Sequence, residues 1–342
     1  MLVSAIIPCR NEIRHIRRML ESVLSNDFPS DQLEIIVVDG MSTDGTREAV
    51  QEYSERFPHI RLLDNPRHIV PTAMNIGVRA AAGEYIMRLD CHALYAKDYI
   101  AKCVEVIRRT NADNVGGYMT TLPGQDTPTA RAIAATTSCR FGIGNSIFRL
   151  SGLERQVDTV PFGMYRRDVF DRIGLYDERL VRNQDIELNS RLRRAGGRII
   201  ISPHIKLSYF NRATYVGLWQ QAYNNGLWNP YTIWLVGRGL SLRHFVPMFF
   251  VASLIVLGTA GLVYKTLWGL LAAELILYAA VAGYFAVSLA PAAKASPLRL
   301  LWAFATLHLA YGIGSLWGLI TIPFKFSNRR NEVGTPLADR KT

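Results

Sequence analysis

Residues 77–92 read GVRAAAGEYIMRLDCH. The stretch leaves a glycine-marked helix end, passes through the apolar run Tyr85, Ile86 and Met87, and finishes on Leu89, Asp90, Cys91 and His92. Ligands of open α/β sheets collect at the carboxyl ends of strands, so an Asp and a His there stand where a metal-bound anion is held. On the two-residue repeat of a strand Asp90 and His92 point the same way. A carboxylate plus an imidazole suits Mn2+ or Mg2+, with a diphosphate supplying the other oxygens. A structural Asp at a strand end accounts equally well for these residues alone, and the surrounding chain has to decide.

Upstream, Leu2 to Pro8, Leu33 to Val38, Ile60 to Leu63 and Glu84 to Leu89 are short runs rich in Val, Ile and Leu, each followed by a polar turn and a helical pattern. The helical patterns cover 12–24, 44–56, 71–82 and 97–109, with Thr43 as a cap and Pro71 in a first turn. Strands alternating with helices predict an α/β protein with a parallel, doubly wound sheet. From residue 112 to 208 the pattern loosens into shorter strands and loops, with a strand at 198–202 and a helix at 185–195 closed by Gly196 and Gly197.

The 342 residues, 49% apolar, are enough for one large domain or two. The formal charge of +11 is uneven: residues 1–245 carry 31 Lys/Arg against 25 Asp/Glu, and the apolar remainder 8 against 3. Basic residues flanking apolar spans point to anionic lipid surfaces, and no base-reading motif or aromatic-interleaved basic stripe points to nucleic acid. Cys9, Cys91, Cys103 and Cys139 lack CxxC spacing, which predicts buried thiols in a reducing compartment and no zinc site. The opening MLVSAIIPCRNE is too short an apolar run for a signal peptide, placing the first strand in the cytoplasm.

After His244 the composition changes. Spans at about 246–264, 267–289 and 300–323 carry only one charge, Glu274, and each approaches the roughly 20 residues of a bilayer crossing. Gly312, Gly314 and Gly318 make the third span irregular, leaving a re-entrant helix as its competing account. The aromatic and amide mixture YVGLWQQAYNNGLW, residues 215–228, suits a membrane surface. The resulting plan is a domain at 1–228, an interfacial linker at 229–245, membrane helices within 246–324 and a basic tail at 325–342. Three crossings would put Lys325, Arg329, Arg330, Arg340 and Lys341 opposite the catalytic domain, against the positive-inside tendency, and an even number would not.

Four ordered pieces, IIPCRNE, VVDGMSTDGT, NIGVRAAAGEYIMRLDCH and NQDIELNSRLRRAG, resemble the family 2 glycosyltransferases of GT-A fold over about residues 2–226. Among them the chain is most similar to bacterial succinoglycan-type exopolysaccharide glycosyltransferases with C-terminal membrane helices. The resemblance implies a GT-A doubly wound mixed sheet flanked by helices, followed by an α-helical transmembrane region. It implies that Pro8, Arg10, Asn11 and Glu12 border the nucleotide and that Asp39, with Ser42 in its turn, meets the uracil or ribose. Asn75 belongs to the helix closing over the nucleotide. Asp90 is the first acid of the metal motif, His92 replaces the second, and His204 stands where a further ligand can sit, a plain surface or core histidine being the competing account.

Asp185 matches the catalytic base, although as a first-turn residue it also suits its helix dipole. Phe162, Gly163 and Met164 resemble the acceptor cleft, and Arg212, Gln220, Gln221 and Tyr223 the region covering the diphosphate. The QxxRW box of processive synthases is absent, which favours single addition. The expectation is an inverting, Mn2+- or Mg2+-dependent enzyme of the cytoplasmic membrane moving one sugar from a UDP-sugar donor to a lipid-linked saccharide acceptor. Membrane lipids and other polysaccharide-assembly proteins are the expected partners. The rivals are a polyprenyl-phosphate glycosyltransferase, a non-catalytic nucleotide-sugar-binding scaffold and, lacking a GxGxxG after the first strand, a dinucleotide oxidoreductase.

Overall fold

The computed structural model describes residues 2–144, 146–150, 152–237 and 240–326. Its first part comprises β1 (Val3–Cys9), α1 (Ile16–Leu24), β2 (Leu33–Asp39), α2 (Thr46–Arg56), β3 (Ile60–Asp64), α3 (Val70–Ala80), β4 (Tyr85–Arg88), β5 (Ala93–Tyr95) and α4 (Tyr99–Thr110). There follow β6 (Asn114–Leu122), α5 (Pro128–Thr136), α6 (Arg140–Ile143), β7 (Arg155–Gln156), β8 (Met164–Arg166), α7 (Asp168–Ile173), α8 (Gln184–Arg194) and β9 (Ile199–Phe210). Then come α9 (Tyr215–Val236), α10 (Val246–Ala260), α11 (Leu267–Ala293) and α12 (Pro297–Phe326).

The strands form one sheet in the order β3-β2-β1-β4-β8-β6-β9-β5, with β7 on β9. β3, β2, β1 and β4 are parallel, β8 runs antiparallel to both β4 and β6, and β9 returns parallel to β6. The sheet is therefore mixed, as the resemblance implies, and the parallel arrangement expected from the apolar runs holds for its first four strands. Alternate residues explain the two helical layers. Val3, Ala5, Ile7, Ile35 and Val37 pack with Ile16 and Met19 of α1, Val50 of α2 and Cys103 of α4. Ile6, Ile36 and Val38 face the other way, against Met74 and Val78 of α3 and Leu188 and Leu192 of α8. α1 supplies its layer because Ile16, Met19, Leu20 and Val23 recur at helical spacing on one buried face. Gly77 lets α3 press on β1, since a Cβ there would lie 2.4 Å from Ile6 Cγ2.

The four C-terminal helices depart from the expected boundaries. α9 runs unbroken through residue 228, so the start of the expected linker is helix, and the basic tail beyond residue 326 lies outside the described residues. α12 is one continuous helix of 30 residues. Its glycines are contact points with neighbouring helices, which corrects the irregular reading: a Cβ on Gly314 would lie 2.1 Å from Tyr223 O, one on Gly318 2.4 Å from Leu227 O and one on Gly312 2.2 Å from Pro247 O. Gly226 answers from α9, with Tyr311 O 2.0 Å from its would-be Cβ. Three helices, Leu242–Ala260, Leu267–Ala293 and Pro297–Phe326, are long and apolar enough to cross a membrane. They display Phe249, Ile276, Tyr284, Trp302, Ile320 and Phe324 at the surface, a face that suits lipid.

Candidate active site

Parallel pairing of β1 with β2 and β4 brings residues 8–12, 39–42 and 88–92 to one rim. The rim is stitched by side chains. Asn11, at φ 54°, donates its N–H to Ser42 Oγ at 2.8 Å and accepts Thr43 N–H on Oδ1 at 2.9 Å. Glu12 N–H donates to Thr46 Oγ1 at 2.7 Å. Asp39 is fully buried; Oδ1 accepts the Ser42 hydroxyl at 2.5 Å and Oδ2 the Ser42 N–H at 3.0 Å, with Arg47 Nη1 3.5 Å away. These contacts make Asp39 and Ser42 holders of the turn. Thr43 does not cap α2, whose N-cap is Gly45 at φ 94°.

A cavity of about 200 Å3 opens on this rim, lined by Pro8, Arg10, Glu12, Gly40, His68, Asp90 and His92 among others. β4 stops at Arg88, so strand alternation does not carry Asp90 and His92 together as expected. Asp90 instead holds a turn, its Oδ1 accepting His92 N–H at 2.9 Å and its own N–H donating to the Tyr95 hydroxyl at 2.7 Å. The His92 ring turns to Glu12, with Nε2 3.2 Å from Oε1, and to His15, ring centroids 4.6 Å apart. One ligand atom each from Glu12, His15 and His92 fall within 4.8 Å of one another. Cys9 lines the same cavity, and burial followed by the neighbouring Asp39 pushes its thiol up, so it stays neutral. All four cysteines are free and buried, as the spacing predicts.

The hydrogen bond to Glu12 outweighs burial and raises the His92 pKa above its ordinary 6.5. For a raised cation the added stability is fully present below 6.5 and is lost as pH climbs through the folded value. His92→Ala is therefore expected to lower the thermal midpoint more at about pH 6 than at about pH 8.5 in metal-free buffer. A midpoint difference that does not change with pH removes the Glu12–His92 ion pair from the account.

A second cavity, about 320 Å3, is lined by Asp90, Phe162, Asp185, Arg149, Tyr209, Arg243 and other residues. Asp90 thus faces both cavities, whereas Asp185 faces only this one. Arg88 joins them: its Nη1 donates to Asp185 Oδ2, its Nη2 lies 3.8 Å from Asp90 Oδ2, and the Phe162 ring sits 5.9 Å from its Cζ. Coulombic attraction to Asp185 and then Asp90 overcomes burial and holds the guanidinium firmly charged. Asp185 is not the helix cap. The N-cap of α8 is Asn183 at φ 63°, and Asp185 turns its carboxylate into the cavity instead. Glu187 is buried in an ion pair with Arg191 at 2.6 Å, so it neither meets Asp185 nor sits in solvent. Phe162, at φ 47°, lines the cavity beside Gly163, where a Cβ would lie 2.2 Å from Asn114 Oδ1.

Two expected residues lie apart. Asn75 is buried and spends its amide on the 176–178 loop, donating to Tyr176 O and Glu178 Oε1 at 2.9 Å each and accepting Tyr176 N–H at 2.9 Å. His204 is exposed in the bulge between β6 and β9, beside Glu105 and Glu154, because the register slip there turns 203–205 out of the ladder. It is not brought to Asp90. Arg212 is exposed but close enough to His92 to weaken its proton affinity. Sequence reading passed over Arg88 and His15. A charged residue between the buried Met87 and Leu89 was the available sign of Arg88, while His15 meets His92 only through tertiary packing.

A family model described as Glycosyl transferase family 2 matches residues 4–174. The chain belongs to glycosyl transferase family 2. It is 33% identical over 223 residues to the succinoglycan biosynthesis protein ExoA of Rhizobium meliloti (strain 1021), spanning 65% of this chain and 67% of that one. It is 27% identical over 221 residues to a dolichyl N-acetyl-alpha-D-glucosaminyl phosphate 3-beta-D-2,3-diacetamido-2,3-dideoxy-beta-D-glucuronosyltransferase of Methanococcus voltae, covering 62% of this chain and 68% of the relative. In fold it is similar to the mannosyltransferase PcManGT of Pyrobaculum calidifontis, solved with GDP-Man and Mn2+, at TM-score 0.60 and 21% identity over 92% of this chain and 87% of that one. The fold is GT-A, the activity is glycosyl transfer, and three apolar helices follow the catalytic domain.

Proposed function

We infer that this family 2 enzyme moves a single sugar from a nucleoside diphosphate sugar, a UDP-sugar by preference, to a lipid-linked saccharide, with inversion at the anomeric carbon. One observation carries the reading: two cavities meet at Asp90, and Asp185 stands only in the one away from the rim at residues 8–12; the remaining carboxylate of that cavity, Asp158, is paired with Arg243. A donor in the first cavity would present its diphosphate to Asp90 and its sugar to the second. An acceptor hydroxyl entering the second cavity would find Asp185 as the base that takes its proton during attack. Opposed placement of leaving group and base is what a one-step inverting displacement needs, without a covalent intermediate. The apolar helices would hold this site at the cytoplasmic membrane face, where a lipid-carried acceptor is concentrated.

The residues fit a divalent cation. Among the described residues Asp90 Oδ2 accepts no hydrogen bond and is approached by Arg88 alone, at 3.8 Å, while facing both cavities, and imidazole and carboxylate donors from His92 and Glu12 lie on the same rim. A mixed nitrogen and oxygen set favours Mn2+ over Mg2+. Asp90 would hold the ion with the donor's phosphates, and the charge it supplies would stabilise the departing nucleoside diphosphate.

The test is a transfer assay over UDP-, GDP- and TDP-sugars, with and without Mn2+, using a lipid-diphosphate saccharide and a polyprenyl phosphate as alternative acceptors. Mn2+-enhanced transfer to the saccharide with an inverted product anomer is expected, and Asp90→Ala should abolish both metal response and turnover. A product that keeps the donor's anomeric configuration rejects inversion, exclusive use of polyprenyl phosphate rejects the acceptor, and an active Asp90→Ala enzyme rejects the metal role.

A further inference from the structure

The described arginines differ in whether a carboxylate meets them. Arg88, Arg179 and Arg191 each meet a carboxylate, Asp185, Asp177 and Glu187 respectively. Among the described residues no carboxylate pairs with Arg149, Arg182 or Arg212. Arg149 donates to Thr121 Oγ1 at 3.0 Å and lies 5.8 Å from the Tyr209 ring centroid. Arg182 donates to Asn225 Oδ1 at 2.9 Å. All three act electrostatically on the Tyr209 hydroxyl, as does the Asp90 carboxylate, which lines the same cavity as Arg149 and Tyr209 and acts on it more strongly than any one of them. Withdrawal from water weakens the hold of Arg149 and Arg182 on their protons, the expected cost of gathering three cations about the single carboxylate of Asp90. Such a cost persists where a ligand supplies the missing charge.

Position says which ligand. Arg149 lines the second cavity only, the one containing Asp185, and does not line the nucleotide rim. That cavity runs on to Arg243 and His244, in the single turn Leu242–Phe245 that leads directly into the apolar helix α10. Its far end therefore opens where the chain enters the membrane region, and Arg243 there is already paired with Asp158 at 2.8 Å. We propose that Arg149, supported by Arg182 and Arg212 around Tyr209, binds the phosphate group of the lipid carrier on which the acceptor is built. Guanidinium forks match phosphate oxygens in pairs, and the two charges of a lipid diphosphate, added to that of Asp90, would offset the three guanidinium groups. This proposal rests on the acceptor-side reading of the second cavity given above.

The test uses the full chain purified in detergent, with farnesyl diphosphate, farnesol and UDP as probes, comparing wild type with Arg149→Gln and the conservative Arg149→Lys. Farnesyl diphosphate is expected to bind wild type and to lose affinity about tenfold in Arg149→Gln, as for one charge-assisted contact, with partial recovery in Arg149→Lys. UDP affinity should be unchanged, which also reports an intact fold, and farnesol should bind all three proteins equally. An equal loss for UDP assigns the arginines to the donor's diphosphate and overturns the proposal. Unchanged farnesyl diphosphate binding overturns it too. Should wild type transfer sugar to a lipid-linked saccharide with a KM unaffected by Arg149→Gln, this inference fails while the proposed function stands. Absence of any wild-type transfer defeats the proposed function instead.

Discussion

Asp185→Asn is expected to slow sugar transfer by about a thousandfold, within the range that a positioned general base contributes, while leaving the affinity for the donor intact. The amide keeps the size of the carboxylate and its place in the first turn of α8 but cannot accept the acceptor's proton. Donor binding should survive because Asp185 lines only the second cavity, apart from the rim formed by Pro8, Arg10, Glu12 and Gly40. Steady-state transfer and calorimetric titration with UDP, run on the same preparation, separate the two effects. Turnover within a few-fold of wild type would reject Asp185 as base, and joint loss of turnover and UDP binding would mark it as structural.

Arg88→Met should be the second most damaging change, because one guanidinium holds two carboxylates that would otherwise face each other uncompensated. Removing one member of a fully buried ion pair costs roughly 3–5 kcal/mol. Asp90 and Asp185 retain 24% and 35% side-chain exposure, so water recovers part of this, and a loss of about 2 kcal/mol is expected. Activity should fall further than stability alone explains, since Asp185 loses the partner that orients it. Arg88→Lys is the informative companion: it keeps the charge but not the fork that reaches both acids, so it should recover most of the thermal midpoint and little of kcat. Equal recovery of both would make Arg88 a stabilising residue without a positioning role.

Much of the catalytic domain was legible in short windows of sequence. β1 and β2 are buried nearly throughout, and central parallel strands of that kind read as unbroken Val and Ile runs. Abrupt passages from apolar to polar residues put the strand ends at Pro8, Val38 and Leu89, each within one residue of the observed Cys9, Asp39 and Arg88. The second half was less legible because β7 and β8 span only two and three residues, too few for any period to show. In the tail, composition gave three apolar spans of the right length, but the glycines of α12 were misleading. Glycine has the same signature whether it loosens a helix or admits a neighbour, and only the backbones of α9 and α10 lying against it distinguish the two.

Local sequence determined that this chain forms an alternating α/β domain followed by apolar helices, because strand and helix periods and bilayer length are properties of contiguous residues. It also placed Asp90 and Asp185 at element ends, where side chains reach a cleft. Tertiary structure alone decided their partners. Arg88 meets Asp185 across a sequence separation of 97, Glu12 meets His92 across the β1–β4 rim, and Arg149, Arg182 and Arg212 gather on Tyr209 from separate segments. Charges act through space and not along the chain, so the pairing that turns isolated acids and bases into a site follows from how the sheet and helices pack.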